Sequence, residues 1–312
     1  MSAFVVVNPR SGGGRTAREW PTIEKNLKAL YPGMTAVMTH HHGQATALVR
    51  AALRDGQEEI VAVGGDGTIN ETVNGFFDDD GPVSPDAIMG FVTSGTGGDF
   101  RKSFGIEAGP TAALARLKSA RPRRIDVGRV SCLSRQGEPV IRYFANIASV
   151  GLSGVIVDKV NRARIAKLFG GSFAFAFHSA LAMLTYRERP VRIRIDQHYD
   201  EITAISTLAV ANGQYFGGGM RVAPHAQPDD GQFDVIVMGG TPKGKALADM
   251  KLVYTGEHLK NPSVRELRGF KVMAAPVAET AGHAVLIEVD GESAGQLPAT
   301  FEILPRALAL RC

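Results

Sequence analysis

The 312-residue chain is 44 % hydrophobic and 21 % charged, a balance that excludes disordered, collagenous and coiled-coil classes. Lys plus Arg number 35 and Asp plus Glu 31, a net charge of +4. That excess is too small to argue for a nucleic-acid binder. The two cysteines, Cys132 and Cys312, exclude a disulfide framework and point to a reducing cytoplasm. No basic region precedes an apolar stretch at the N-terminus, so no secretory leader is expected. The length predicts two domains, each large enough to bury its own core.

The first 125 residues alternate. Strands are expected over Phe4–Val7, Thr35–Met38, Ile60–Val63 and Ile88–Val92, and helices over Thr16–Leu30, Gln44–Arg54 and Ile69–Phe76. Such alternation implies a parallel sheet with helices on both faces. Beyond Arg121-Pro122-Arg123-Arg124 strands dominate: Ile125–Val130, Val140–Ala148, Val191–Ile195, Ile202–Ala211, Phe233–Val237 and Val285–Val289. Helical patterns remain over Gly154–Thr185 and Gly244–Thr255. This predicts an α/β domain over 1–125, followed by a mostly antiparallel, β-rich domain over 126–299. The last residues, about 300–312, are expected to pack back on the first domain.

Leu168–Thr185 carries no charge and approaches the length of a membrane span. Phe169, Phe173, Phe177 and Leu181 recur every four residues, which reads instead as the apolar face of a buried or pocket-lining helix.

The strongest local signal is Ile60–Asn70, IVAVGGDGTIN. A β-branched strand runs into Gly64-Gly65-Asp66-Gly67-Thr68 before a helix. Glycines at such a turn let backbone N–H groups approach phosphates, and the helix N-terminus favours an anion. Asp66 is placed to hold a metal ion or accept a proton, and Thr68 to cap the helix or bond a phosphate. A second glycine turn, Asn8–Arg15, follows the first strand, and a third, Thr93–Phe100, follows the fourth. Three such turns at the carboxyl ends of one parallel sheet mark a nucleotide site. They match neither a dinucleotide-binding GxGxxG nor a GxxxxGK[ST] loop. Gly239–Lys245 has the latter spacing, but Ala246 follows where a hydroxyl is required, so it reads as a turn before a helix.

Taken together, Asn8-Pro9 with Ser11–Gly14, GGDGTINE at Gly64–Glu71 and SGTGGDF at Ser94–Phe100 resemble the diacylglycerol kinase catalytic domain. The resemblance continues through Gly217–Met220, Ala223-Pro224, Asp229–Asp234 and Val289–Glu292, nearly the whole chain in order. It implies a nucleotide domain like that of NAD kinase and phosphofructokinase, followed by a β-sandwich domain. It also implies ATP- and Mg²⁺-dependent phosphorylation of a lipid hydroxyl. Carried over by motif, ATP contacts Asn8, Thr39, Gly64, Gly65, Asp66, Gly67, Thr68, Ile69, Asn70 and Thr96. The general base lies in Asp290-Gly291-Glu292, where both carboxylates remain candidates. Asp66 serves the metal or the hydroxyl.

A structural Mg²⁺ would be held in Pro228–Gln232 by the Asp230 carboxylate and the carbonyls of Gln227 and Gln232. A polar turn is the alternative reading of that segment. His40-His41-His42 lacks a second ligand cluster and reads as a solvated loop.

The third turn departs from the family. Gly98 stands where many bacterial members carry Asn, which leaves the acceptor open among diacylglycerol, other glycerolipids, sphingoid bases and ceramide. A NAD kinase and a catalytically silent nucleotide- or lipid-binding protein remain the alternative functions. Lys159–Arg194 carries eight basic residues and one acid, Glu188. A basic rim around an apolar element suits transient attachment to anionic lipid. The expectation is a cytoplasmic enzyme peripheral to the inner membrane face, with a homodimer as a further possibility.

Overall fold

A computed structural model describes residues 2–93, 98–162, 182, 185–277 and 284–312. In chain order its elements begin with β1 (Phe4–Val7), α1 (Ser11–Leu30), β2 (Thr35–Met38), α2 (Gln44–Arg54), β3 (Glu59–Gly64) and α3 (Asp66–Gly75). Next come β4 (Phe77–Asp78), β5 (Gly81–Pro82), β6 (Ile88–Thr93), α4 (Asp99–Ser103) and α5 (Pro110–Ser119). Then follow β7 (Pro122–Leu133), β8 (Pro139–Phe144), β9 (Ile147–Gly151), α6 (Leu152–Arg162), β10 (Arg189–Ile195), β11 (Tyr199–Ile205) and β12 (Thr207–Ala211). The chain continues with β13 (Tyr215–Phe216), β14 (Met220–Arg221), β15 (Phe233–Met238) and α7 (Lys243–Thr255). It closes with β16 (Val264–Gly269), β17 (Lys271–Pro276), β18 (Leu286–Val289) and β19 (Glu292–Arg311). Two compact units result: Met1–Val127 with Leu304–Cys312, and Gly128–Ile303.

The first unit is built on the parallel sheet β2-β1-β3-β6, joined at its β6 edge by the end of β19 through Ala309 and Leu310. Every residue of β1 and β3 is buried. Strands covered on both faces lose the in–out alternation and read as continuous apolar runs, as these do. Thr16, Trp20, Ile23 and Leu27 of α1 are spaced by four, three and four residues and bury one helical stripe. Ala45, Val49, Ala52 and Leu53 do the same in α2. The core joins β1, β3 and α1 to Ala113 and Leu117 of α5. Arg311 closes the added edge: its guanidinium bonds both oxygens of Glu59 at 2.9 and 3.0 Å.

The second unit is antiparallel. One run orders β16-β15-β12-β9-β18-β19, and β11-β10-β17 joins β19 farther along that strand. Val130, Phe144, Val150, Val191, Ile193, Val210, Phe233, Ile287 and Phe301 belong to one core between them.

Several elements differ from the sequence expectations. Val140–Ala148 is two strands, β8 and β9, parted at Ala145-Asn146, and Ile202–Ala211 is parted at Ser206. Each break falls at a polar residue, Asn146 or Ser206, inside a mostly apolar run. Helix α5 was not anticipated, although Pro110 sits at its first position, where a missing N–H costs nothing. Strands β16, β17 and the 20-residue β19 were also missed. Pro298 and Pro305 inside β19 argue locally against a strand. The expected helix over Gly154–Thr185 is α6 as far as Arg162, and most of the remainder lies outside the described residues.

Candidate active site

In the first unit, the carboxyl ends of β1, β3 and β6 carry the three glycine turns. At β1 the chain passes through Gly12, Gly13 and Gly14, all left-handed (φ 59°, 66° and 83°). At β3, Gly64 permits a close approach: a Cβ there would lie 2.4 Å from Thr68 Oγ1 and 2.7 Å from Thr68 Cβ. Only a residue without a side chain lets α3 start directly beneath the strand. Thr68 Oγ1 in turn accepts from Asn8 Nδ2 at 3.2 Å, and Asn8 N donates to the Val63 carbonyl at 2.9 Å. Asn8 and Thr68 therefore meet across the first two turns.

Asp66 ties in the third. Its Oδ2 accepts from Gly98 N at 2.9 Å and Asp99 N at 3.2 Å. Its Oδ1 is buried and makes no hydrogen bond to the described residues. Burial, and secondarily the nearby Asp99 carboxylate, push its pKa up, while the backbone donors at Gly98, Asp99 and Phe100 pull it down. Gly98, left-handed at φ 81°, is the N-cap of α4. Thr96 lies outside the described residues. Asn70, which is buried, accepts from Asn74 Nδ2 within α3, and Thr39 donates to the Val7 carbonyl from the end of β2.

Glu71 was quoted only as the end of the GGDGTINE run, yet it organises the neighbouring turn. Its carboxylate accepts from Gly43 N at 2.8 Å and Ala45 N at 3.0 Å at the start of α2, and it pairs with His42 Nδ1 at 3.1 Å. The signal was present: an acid one helical turn after Thr68 lies on the side of α3 facing α2. His40, His41 and His42 are exposed, and no metal-binding cluster of His, Cys, Asp or Glu occurs among the described residues.

In the second unit, β18 and β19 are joined by the Asp290-Gly291 turn. Asp290 (φ 48°) turns its carboxylate onto the backbone between β8 and β9. Oδ2 accepts from Ala145 N at 3.2 Å, and Oδ1 accepts from Asn146 N at 3.2 Å and Ile147 N at 2.9 Å. Asn146 Nδ2 donates to the Tyr215 carbonyl at 2.5 Å, and Asn212 Nδ2 donates to that of Ala145 at 2.9 Å. The turn is thus fastened to two loops through Asp290, whereas Glu292, half-buried, opens β19. Glu288, two residues before Asp290, is fully buried. It was not singled out in the sequence, because β18 is buried on both faces and no alternation exposes an odd residue.

The turn expected to hold a structural cation is arranged around an arginine. Asp230 Oδ1 accepts from Gln232 N at 3.1 Å, and Oδ2 is engaged by Arg268 Nη2. Arg268 lies opposite Asp234 in the β15–β16 register, with Nε 3.8 Å from Asp234 Oδ2. Asp234 is buried, and burial pushes its pKa up to about 6 against the opposing pull of Arg268. A pocket of about 330 Å³ is lined by His225, Gln227, Asp234, Glu266, Leu267 and Arg268. Of the expected cation donors Gln227, Asp230 and Gln232, only Asp230 offers a carboxylate, and Arg268 engages one of its two oxygens. The GGTPKGK segment ends inside α7, as a turn before a helix.

The comparisons with known proteins cover both units. Residues 2–130 match the diacylglycerol kinase catalytic domain, and residues 146–312 match the YegS C-terminal NAD kinase beta sandwich-like domain. A diacylglycerol kinase of Staphylococcus haemolyticus is 28 % identical over 306 residues, covering 97 % of this chain and 86 % of that protein. One of Mycobacterium tuberculosis is 25 % identical over 305 residues, covering 97 % and 92 %. A crystal structure from Bacillus anthracis, described as a diacylglycerol kinase, aligns with a TM-score of 0.70 at 18 % identity, over 99 % of this chain and 96 % of that one. Yeast NADH kinase shares the fold more distantly, with a TM-score of 0.54 at 11 % identity over 99 % and 82 %. The chain belongs to the diacylglycerol kinase family of lipid kinases, with the YegS-type second domain.

Proposed function

We propose that this protein transfers the γ-phosphoryl group of ATP to the hydroxyl of a neutral lipid, with diacylglycerol the first candidate. The observation that carries the reading is the meeting of Asn8, Thr68, Asp66 and Gly98 at the carboxyl ends of β1, β3 and β6. There the first-turn N–H groups of α3 and the Asn8 amide are placed to bind phosphate oxygens, with no side chain at Gly64 or Gly65 in the way. Thr39 and Asn70 border the same strand ends, and Thr96 completes the proposed contacts.

A Mg²⁺ ion accompanying the nucleotide would neutralise charge on the β- and γ-phosphoryl oxygens. Asp66, with a buried oxygen that no donor among the described residues satisfies, fits as the residue that would hold it. In the second unit, Glu292 is the proposed general base. It takes the proton of the lipid hydroxyl as the new O–P bond forms, and ADP leaves. Asp290, committed to three backbone N–H groups, is proposed to shape the turn rather than to move a proton.

No described helix is long and apolar enough to cross a membrane. Meeting a lipid then requires surface attachment, for which the basic residues of 159–194 are proposed, including Arg187, Arg189, Arg192 and Arg194. Residues 163–181 of that stretch lie outside the described ones. Among the described residues strand β11 pairs with β10 alone; that edge is proposed to pair with a second copy in a homodimer, which light scattering tests.

The function is tested by incubating the protein with Mg²⁺ and ATP labelled at the γ-phosphate. The acceptors are diacylglycerol, monoacylglycerol, ceramide and a sphingoid base in anionic mixed micelles, with NAD in a parallel tube. A labelled lipid supports the reading and names the acceptor. Labelled NAD without labelled lipid overturns it.

A further inference from the structure

Glu288 is a carboxyl group that the proposed chemistry does not use, and the second unit buries it completely. Its Oε2 accepts from Gly291 N at 2.8 Å, the central amide of the Asp290-Gly291-Glu292 turn. Its Oε1 is in contact with Ser149 Oγ of β9. Ser149 Oγ lies 2.6 Å from Ser153 Oγ in the first turn of α6. With a proton on Glu288 Oε1, Glu288 donates to Ser149 and Ser149 to Ser153; ionised, Glu288 accepts from Ser149, which accepts from Ser153. Gly154, next in α6, packs against Leu286 of β18, where a Cβ would lie 2.6 Å from the Leu286 carbonyl oxygen. Helix and strand are therefore in close contact at this point.

We infer that Glu288 is a positioning residue for the proposed base Glu292, acting as a neutral acid that anchors the 290–292 turn to β9 and α6. This rests on the lipid-kinase reading for its effect on turnover, but not for its effect on the turn. Burial pushes the Glu288 pKa up to about 8, and the neighbouring Asp290 and Glu292 carboxylates push in the same direction. Ser149 and the Gly291 amide pull it down. From β9 and α6 the facing groups are the hydroxyls of Ser149 and Ser153. The nearest acid of α6, Asp158, is held by Arg135 at 2.5 Å. Above that pKa a third negative charge appears in the turn, inside the fold.

The full-length protein is compared with Glu288→Gln and Glu288→Ala, reading thermal midpoint and kcat from pH 5 to pH 9. Glu288→Gln keeps the shape, donates to Ser149 through its amide and accepts from Gly291, but cannot ionise. It is expected to retain kcat within about threefold at pH 7 and to lose the wild-type decline in kcat near pH 8. Glu288→Ala is expected to lower kcat at least tenfold with KM for ATP unchanged.

A folded-state pKa above the unfolded value means that stability present below about pH 4.5 is lost as pH rises through about 8. The wild-type midpoint should therefore fall across that window relative to Glu288→Gln, a readout that needs no activity. Identical pH dependence of the midpoint in wild type and Glu288→Gln would overturn the neutral acid. A Glu288→Ala protein with wild-type kcat would overturn the positioning role. If the wild type transfers no phosphate to any lipid, the proposed function fails instead. The midpoint comparison and amide exchange at Gly291, expected to quicken at least tenfold in Glu288→Ala, then decide this inference alone.

Discussion

The two carboxylates of the Asp290-Gly291-Glu292 turn are expected to respond in opposite ways to removal. Asp290 satisfies three N–H groups, of Ala145, Asn146 and Ile147, in residues exposed by only 1, 5 and 0 %. Hydrogen bonds to a charged group contribute about 1.5–3 kcal/mol each, and a buried donor left without an acceptor costs about 1–3 kcal/mol. The three share one carboxylate and do not add fully, so Asp290→Ala should cost about 3–5 kcal/mol. Asp290→Asn keeps one acceptor oxygen and turns an NH₂ toward a backbone N–H, for about 2 kcal/mol.

Glu292→Gln leaves that scaffold intact. Its stability should fall by much less than that of Asp290→Ala, because the three N–H groups keep their acceptor. Its kcat should fall by about 10²–10⁴, the range for loss of a positioned acid–base group. Urea unfolding and γ-phosphoryl transfer, measured on the same preparations, separate the two effects. An Asp290→Asn protein as stable as wild type but slowed a hundredfold, beside an active Glu292→Gln, would refute the assignment and make Asp290 the base.

Further outcomes follow from the same geometry. Gly64→Ala drives a methyl group into Thr68, and is expected to cost about 2–4 kcal/mol in urea and to abolish ATP-induced thermal stabilisation. Asp66→Asn should lower kcat about a hundredfold, with the unfolding midpoint moved much less, because its proposed work is on phosphoryl charge. Arg268→Ala strips the cation from Asp230 and Asp234; because Arg268 is nearly half exposed, the protein should lose only about 1 kcal/mol. Asp234 has a raised folded-state pKa, so its contribution to stability is present below about pH 4 and lost as pH rises through about 6. Asp234→Asn should flatten that part of the midpoint–pH curve.

The alternation of the first unit was legible because β1, β3 and β6 are short buried runs flanked by glycine turns, and each turn announces where its strand ends. Asn8, Asp66 and Thr68 could be named for the same reason. The second unit was harder. Strand β8 passes into β9 and β11 into β12 within one or two residues, marked in the sequence by a single polar side chain, Asn146 or Ser206, and the register shows the breaks. The proposed preference for Glu292 over Asp290 rests on backbone donors from residues some 145 positions away, which no local pattern carries. Arg268 was invisible for a related reason: it matters only because β16 pairs with β15 and sets it opposite Asp234.

The first unit borrows its fifth strand from the last residues of the chain. Ala309 and Leu310 pair with Ile88 and Met89, Arg116 donates to the carbonyls of Phe91 and Arg311, and Arg311 neutralises Glu59. On a ribosome, residues 1–127 emerge long before that strand exists. The glycine turns are therefore synthesised first, yet their sheet is closed only after the entire second unit has been made. A fragment ending at Val127 would carry every proposed ATP contact and still expose β6 as an open edge, with Glu59 lacking its counter-ion. Nucleotide affinity in this chain is accordingly expected to be a property of the finished polypeptide, sensitive to changes at its final ten residues.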